Sequence, residues 1–330
     1  MNQYKYFLLF ANCIPVKGAA RSIVCDLQSG TYIFVPNELF VVLENRRMSI
    51  DELAKKIWTD TQIKLESYLD NIAALNFGHY TNSPELFPSI STAYSSPYDI
   101  HDSIIELSEF TYENFNAIAV ALENLGASCV EFRAYNEFDL ERISKMITLL
   151  ETTRVRSVEI YLKYSDTKKL DDYISFVKAH KLIGVFVVHG SFTQSRTEVD
   201  GAIILFLKDE MSSSNCCGNI SEQLFNINLR FYLESKQFNT CLYKKLTINT
   251  MGDIMNCPSM TESFGNIKDV NITEVIRSKK FQHLGKISKD QISVCRDCEF
   301  RYICSDCRGF VGETEKPLKC KYDPYSATYS

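Results

Sequence analysis

The sequence predicts an α/β protein in three parts: an N-terminal winged-helix-like unit, a truncated parallel β/α (partial TIM) barrel, and a cysteine-rich C-terminal region. Three observations carry this expectation. A strand, a hairpin and three helical patterns fill residues 1–81. Strand-like runs then alternate with amphipathic helices over 101–238. Seven of the twelve cysteines fall between Cys241 and Cys320, inside the last part, 239–330. A Ser/Pro-rich stretch over 82–100, with Pro84, Pro88 and Pro97, reads as the link between the first two parts.

Composition narrows the function classes. At 330 residues, 45% hydrophobic and 23% charged, the chain has an ordinary globular make-up. Lys and Arg total 36 against 41 Asp and Glu, for a net charge of -5. No basic run stands out, so a nucleic-acid partner is not expected. No apolar stretch reaches the roughly 18 residues a membrane span needs. The N-terminal apolar run lacks the basic flank and cleavage site of a signal peptide. A cytoplasmic protein with reduced thiols is the expectation, and disulfides are not.

In the first part, Tyr4–Phe10 reads as a strand, and Arg21–Asp26 with Thr31–Val35 as a hairpin turning at Gly30. Helices are expected over Glu38–Asn45, over Ile50–Trp58 behind a Ser49/Glu52 capping box, and over Thr61–Asn76. Phe77–Tyr80 would return as a short strand. The third helix carries Lys64 alone against Glu66 and Asp70, which argues against phosphate binding. An exposed sheet edge can instead accept an extended peptide as an added strand.

In the second part, strands are expected at Ser103–Leu107, Cys129–Ala134, Ser157–Leu162, Ile183–His189 and Ala202–Leu207, with a further strand over Asn226–Leu233. Helices over Tyr112–Leu125, Glu137–Leu150 and Lys169–His180 lie between the first four. These units are too few for a closed barrel and enough for a partial one. In the third part, Lys245–Asn249 and Ile254–Cys257 read as a hairpin, with Cys241 and Cys257 near its open ends.

The chemistry sits in the cysteines. Cys295 and Cys298 are two residues apart, as are Cys304 and Cys307, with five residues between the pairs. Thiolates at such spacing converge on a metal centre, because a short turn brings both sulfurs to one side of the backbone. Four thiolates suit structural zinc as well as iron–sulfur. The loop between the pairs is shorter than the roughly 12–20 residues usual in zinc ribbons, which favours iron–sulfur.

Hairpin, Asn256-Cys257-Pro258, Phe264-Gly265-Asn266-Ile267, then C-x2-C-x5-C-x2-C and a later cysteine resemble the SPASM domain of many radical S-adenosylmethionine enzymes. The family's last gap is one residue longer. The resemblance implies that Cys295, Cys298, Cys304 and Cys320 ligate one [4Fe-4S] cluster, and that Cys241, Cys257 and Cys307 are ligands of a second. The family's usual extra cysteine before the Cys241 position is absent. Cys217 could substitute, or that cluster could keep an open site. No C-x3-C-x2-C motif for S-adenosylmethionine occurs anywhere. The first unit, from Arg21 through the third helix, resembles the PqqD-like recognition element for precursor peptides. By that likeness a leader peptide would lie between Thr31–Val35 and Thr61–Asn76. Nearly the whole chain, most visibly Tyr232 to Ile267, resembles the SPASM-domain peptide maturases of grasp-with-spasm systems. That implies a role in maturing a ribosomally synthesised, post-translationally modified peptide (RiPP biosynthesis), with a precursor peptide and an ATP-grasp ligase as partners.

Other residues read as structural. Cys13, Cys25 and Cys129 fall in strands as small hydrophobes. Adjacent Cys216 and Cys217 would strain a mutual disulfide, leaving a thiol free to ligate. His189 ends a strand on the carboxyl side of the sheet, where ligands bind, and is more often structural there. Glu131 and Arg133 share a strand face, with Glu106 projecting similarly. There is no Ser/His/Asp arrangement, phosphate loop or dinucleotide fingerprint, so no catalytic residues are assigned.

Overall fold

The computed structural model describes residues 4–58 and 64–329. It is a mixed α/β structure whose largest element is an eight-stranded, mostly parallel sheet.

The first part opens with β1 (Tyr6–Leu9), β2 (Cys13–Val16), β3 (Ser22–Asp26) and β4 (Thr31–Val35). Helices α1 (Asn37–Glu44), α2 (Ile50–Lys56) and α3 (Leu65–Ala74) follow, then β5 (Gly78–Thr81). The start of the third expected helix lies outside the described residues. Strands β2, β3 and β4 form an antiparallel sheet, and β1 pairs antiparallel with β5. The β3–β4 turn is held by the Asp26 carboxylate, which accepts from the Gln28 and Ser29 amides at 2.9 and 3.1 Å. Gly30, with φ of 74°, completes it. The Ser49/Glu52 capping box before α2 is present as the sequence predicts.

Both faces of this small sheet are covered. Val24 and Val35 pack against Leu39, Leu53, Leu69 and Ile72 from the three helices. Ile23 and Cys25 pack in the opposite direction, against Tyr232, Phe300, Tyr302 and Ile303 from the C-terminal half. A strand buried on both faces reads as continuously apolar, as Ile23-Val24-Cys25 does.

The large sheet takes β6 (Asp102–Glu106), β7 (Cys129–Arg133), β8 (Ser157–Lys163), β9 (Ile183–His189), β10 (Ser195–Val199), β11 (Ala202–Leu207), β12 (Lys245–Ile248) and β13 (Ile254–Met255). Their order is β10-β11-β9-β8-β7-β6-β12-β13. Pairing is parallel from β12 through β6, β7, β8 and β9 to β11, and antiparallel at both ends. Helices α4 (Glu109–Glu113), α5 (Phe115–Leu125), α6 (Leu140–Leu150) and α7 (Leu170–Ala179) join the strands. Alternate strand residues Val130, Phe132, Val158, Ile160, Phe186 and Val188 bury with Ile118, Leu122, Ile143 and Ile147 in one core. The other sheet face carries Asp102, Glu131, Arg133, Glu159, Tyr161 and Lys245, where Arg133 meets Cys217 and Lys245 meets Cys241 and Cys257.

Several sequence expectations are corrected. Asn226–Leu233 is not a strand: Asn228 accepts from the Phe231 amide at 2.9 Å and caps helix α8 (Leu229–Ser235). The alternation Ile227, Leu229, Phe231, Leu233 mimics a strand, but Tyr232 is the buried residue and Leu229 is exposed. The helix expected over Tyr112–Leu125 is broken in two at Asn114. Strand β10 was not expected, although the Asp200-Gly201 turn that joins it to β11, with φ of 51° and 87°, is a strong hairpin signal. Strand β12 of the cysteine-rich part pairs with β6, so that part continues the large sheet. The fold closes with α9 (Ile272–Arg277), α10 (Lys279–Gln282) and a small hairpin of β14 (Tyr322–Asp323) and β15 (Thr328–Tyr329).

Phe300 is 1% exposed and meets Tyr32, Phe34, Phe225 and Tyr322 edge-on or tilted. Phe300→Ala should therefore cost about 3–5 kcal/mol, read as a lower urea midpoint for loss of tertiary structure. An unchanged midpoint would mean that this contact does not hold the two halves together.

Candidate metal centres

The connection after β6, where a radical S-adenosylmethionine enzyme carries its cysteine loop, is only Leu107-Ser108 before α4 begins. Ser108 accepts from the Thr111 amide at 3.1 Å and donates to the Thr250 carbonyl at 2.7 Å. Gly252, with φ of 87°, lies so close against the Phe110 ring that an added Cβ would clash with it. The turn between β12 and β13 thus packs directly on the start of α4.

Of the first expected ligand set, Cys295 interacts with Cys304 and Cys320, and Cys298 with Cys304. Cys295 and Cys304 are buried and the other two half-buried. The Cys298 amide donates to the Cys295 carbonyl at 3.0 Å, in a tight turn introduced by Val294 at φ of 66°. That is an outlying conformation for a β-branched residue. Burial pushes the Cys295 thiol up to about 12, with Cys304 and Cys320 adding to the rise. Burial also raises Cys298 and Cys304, which interact with each other. Lys289, 4% exposed, lies among them and donates to the Cys304 carbonyl at 2.8 Å. Burial disfavours its charge, yet Cys304, Asp306 and Cys295 raise its pKa overall.

Cys241, Cys257, Cys307 and Cys217, the second expected set, interact electrostatically with one another. Burial pushes the Cys241 thiol to about 12, and its sulfur interacts with those of Cys257, Cys307 and Cys217. Cys257, also raised by burial, interacts with Cys217 and Cys307. Asn239 fixes the approach: its carbonyl oxygen accepts from the Cys241 amide at 2.9 Å, and its amide donates to Asp306 at 2.8 Å. Lys245, at the start of β12, stands beside this group. Burial opposes its charge, but Cys241, Glu131, Cys257 and Asp102 raise its pKa. Each group thus holds four thiols and a buried or half-buried lysine. An ammonium so placed needs anionic company, and ionised thiolates would supply it.

All twelve cysteines are free, so no disulfide competes for these thiols. Among the described residues, no group of three or more His, Cys, Asp or Glu side chains is set to hold a single metal ion.

Free thiols at C-x2-C spacing, with Lys245 and Lys289 buried or half-buried among them, suit the binding of a metal cluster. Residues 240–299 match the SPASM family, an iron-sulfur cluster-binding domain. The match takes in Cys241, Cys257, Cys295 and Cys298 and ends before Cys304. No curated protein matches the chain. No helix among the described residues is long and apolar enough to cross a membrane.

The remaining sequence candidates are structural. His189 is fully buried; its Nε2 lies 2.9 Å from the Ala134 carbonyl, and its Nδ1 accepts from the Met211 amide at 3.2 Å. Glu106 accepts from the Tyr135 hydroxyl at 2.7 Å. Cys13 and Cys25 are core residues, and Cys129 is half-buried. Exposed Cys216 donates to the Ser213 carbonyl and joins neither group. Sequence reasoning missed Lys245 and Lys289. The second lysine of the Lys244-Lys245 pair, heading an apolar strand between two cysteines, was the available signal for the first, and nothing marked the second.

In metal-free protein the folded state holds the Cys241 and Cys295 protons from the ordinary 9.0 up to about 12. The unfolded chain releases them first. Metal-free protein should therefore lose stability as pH rises through this window. Urea midpoints at pH 7.5 and pH 10.5 check it, and equal midpoints would contradict the burial of these thiols.

Proposed function

We propose that the protein matures a ribosomally synthesised, post-translationally modified peptide, capturing the precursor by its leader and carrying [4Fe-4S] clusters. In this reading Cys295, Cys298, Cys304 and Cys320 hold one cluster, and Cys241, Cys257, Cys307 and Cys217 hold the other. Support comes from the SPASM match, from the two buried thiol groups, and from the lysine beside each. Bound clusters would supply one-electron chemistry or a rigid, charged surface close to the peptide. The closed turn after β6 argues against binding S-adenosylmethionine there, so the protein's own contribution is recognition and presentation. A partner ATP-grasp ligase is part of the proposal through the family resemblance. The N-terminal part is read as a winged-helix-like recognition unit and the large sheet as a partial barrel.

The free edge of β4 is the observation that carries leader capture. The Leu27 amide donates to the Asn12 carbonyl at 3.0 Å, which sets the phase of the β2–β3 pairing. Ile14 and Val16 then face β3, while Cys13 and Pro15 face away, and Pro15 has no N–H to offer. By the same alternation, Ser22, Val24 and Asp26 bond to β4, so Tyr32 and Phe34 turn their backbone groups outward. No further strand pairs with β4 among the described residues. One edge is blunted by proline and the other is open. An extended leader added along β4 gains main-chain hydrogen bonds and lies beside Phe34, which is 46% exposed.

Titration calorimetry with full-length and leader-deleted precursor tests this. Leader-dependent binding is expected, weakened about tenfold or more by Phe34→Pro, which removes an outward N–H. Equal affinity for both peptides would overturn the reading.

A further inference from the structure

Cys217 comes from the segment after β11, outside the matched region, and a loop thiol so placed would ordinarily be mobile. Here it is pinned from three directions. The Lys319 ammonium donates to the Asn215 carbonyl and, at 2.5 Å, to the Cys217 carbonyl. Ser259, two residues beyond Cys257, donates its hydroxyl to the Ser214 carbonyl at 2.9 Å. Gly218, with φ of 82°, lies so close to Cys307 that an added Cβ would sit 2.7 Å from its sulfur. The loop is therefore seated on the two elements that carry Cys257 and Cys307.

The fourth hold reaches the sulfur itself. Arg133 on β7 is 4% exposed and projects from the polar face of the sheet. Its Nε donates to Glu131 at 2.7 Å, and its Nη2 lies 2.5 Å from the same carboxylate. Both Nη atoms also point at the Cys217 Sγ, at 3.8 and 3.9 Å. A guanidinium is a rigid fork, so fixing its Nε side on Glu131 aims the remaining N–H groups. Glu131 is two residues away on the same strand and cannot follow a moving loop. The fork therefore marks one fixed position for the sulfur.

We propose that Arg133, oriented by Glu131, is the positioning residue that presents Cys217 as fourth ligand of the second cluster and raises the reduction potential of that cluster alone. This deepens the cluster reading and rests on it. Hydrogen bonds to ligand sulfurs and nearby positive charge stabilise the reduced, more negative state. Arg133 supplies both, and it does so at the second group. The first group has Lys289, whose ammonium bonds to a carbonyl.

The test is a potentiometric titration followed by electron paramagnetic resonance, on the anaerobically reconstituted full chain, comparing wild type with Arg133→Gln, Arg133→Lys and Cys217→Ala. Arg133→Gln should move one of two cluster signals to lower potential and leave the other unmoved. The lysine variant should restore part of the loss, since it keeps the charge without the fork. Cys217→Ala should change the spectrum of that same cluster. The unmoved signal reports that each variant is folded. Two clusters indifferent to both Arg133→Gln and Cys217→Ala would overturn the proposal while leaving the cluster reading intact. Protein that takes up no iron at all would sink that reading first.

Discussion

The packing of the Cys298–Cys304 loop onto the N-terminal sheet is the constraint on which the rest depends. Phe300, Tyr302 and Ile303 insert beneath Ile23 and Cys25, and Glu299, fully buried, accepts from Arg21 at 2.9 Å and from Tyr322 at 2.5 Å. Arg21 in turn lies 3.6 Å over the Phe34 ring. One short segment therefore supplies thiols, closes a hydrophobic core and bonds to the far end of the chain. Large aromatic side chains fix it by shape and area, and the half-buried Arg21–Glu299 ion pair fixes its register. The consequence is mechanical: thiols and the open β4 edge belong to the same packed unit. A peptide lying along that edge would be held at a set place relative to the cysteines.

The electrostatics follow the same economy. Cys217, Cys241 and Cys257 lie beside Arg133 and Lys245 on the face of the large sheet opposite its helices, so the charges there are partly removed from water. Lys245 and Lys289 offset what ionised sulfur would otherwise cost, one at each group. Asp306, between Cys304 and Cys307, is neutralised by Arg308 at 2.8 Å, with both side chains 1% exposed. This pair keeps the tetrapeptide that joins the two groups from adding to their negative charge.

Much of this was legible in the sequence, and the limits have physical reasons. Strands Ile183–His189 and Ala202–Leu207 were read at their observed bounds, because a buried parallel strand flanked by turn residues has a distinct pattern. The paired C-x2-C spacing was legible directly, and the SPASM likeness it carries is matched over 240–299. The α8 segment was misread since four alternating apolar residues imitate a strand when a capping asparagine is overlooked. Pairing of β12 with β6 was invisible because a hairpin looks the same whether it stands alone or extends a sheet. Arg133 could be placed on a strand face, but its sulfur partner is 84 positions away, and no local pattern encodes such a meeting.

The central claim is that the thiols of the C-terminal part hold inorganic iron and sulfide. Iron, acid-labile sulfide and zinc should be determined on protein isolated without oxygen. Two clusters require about eight irons and eight sulfides per chain, in a brown protein whose broad visible absorption bleaches on reduction. A colourless protein carrying one or two zinc ions and no sulfide would contradict the account.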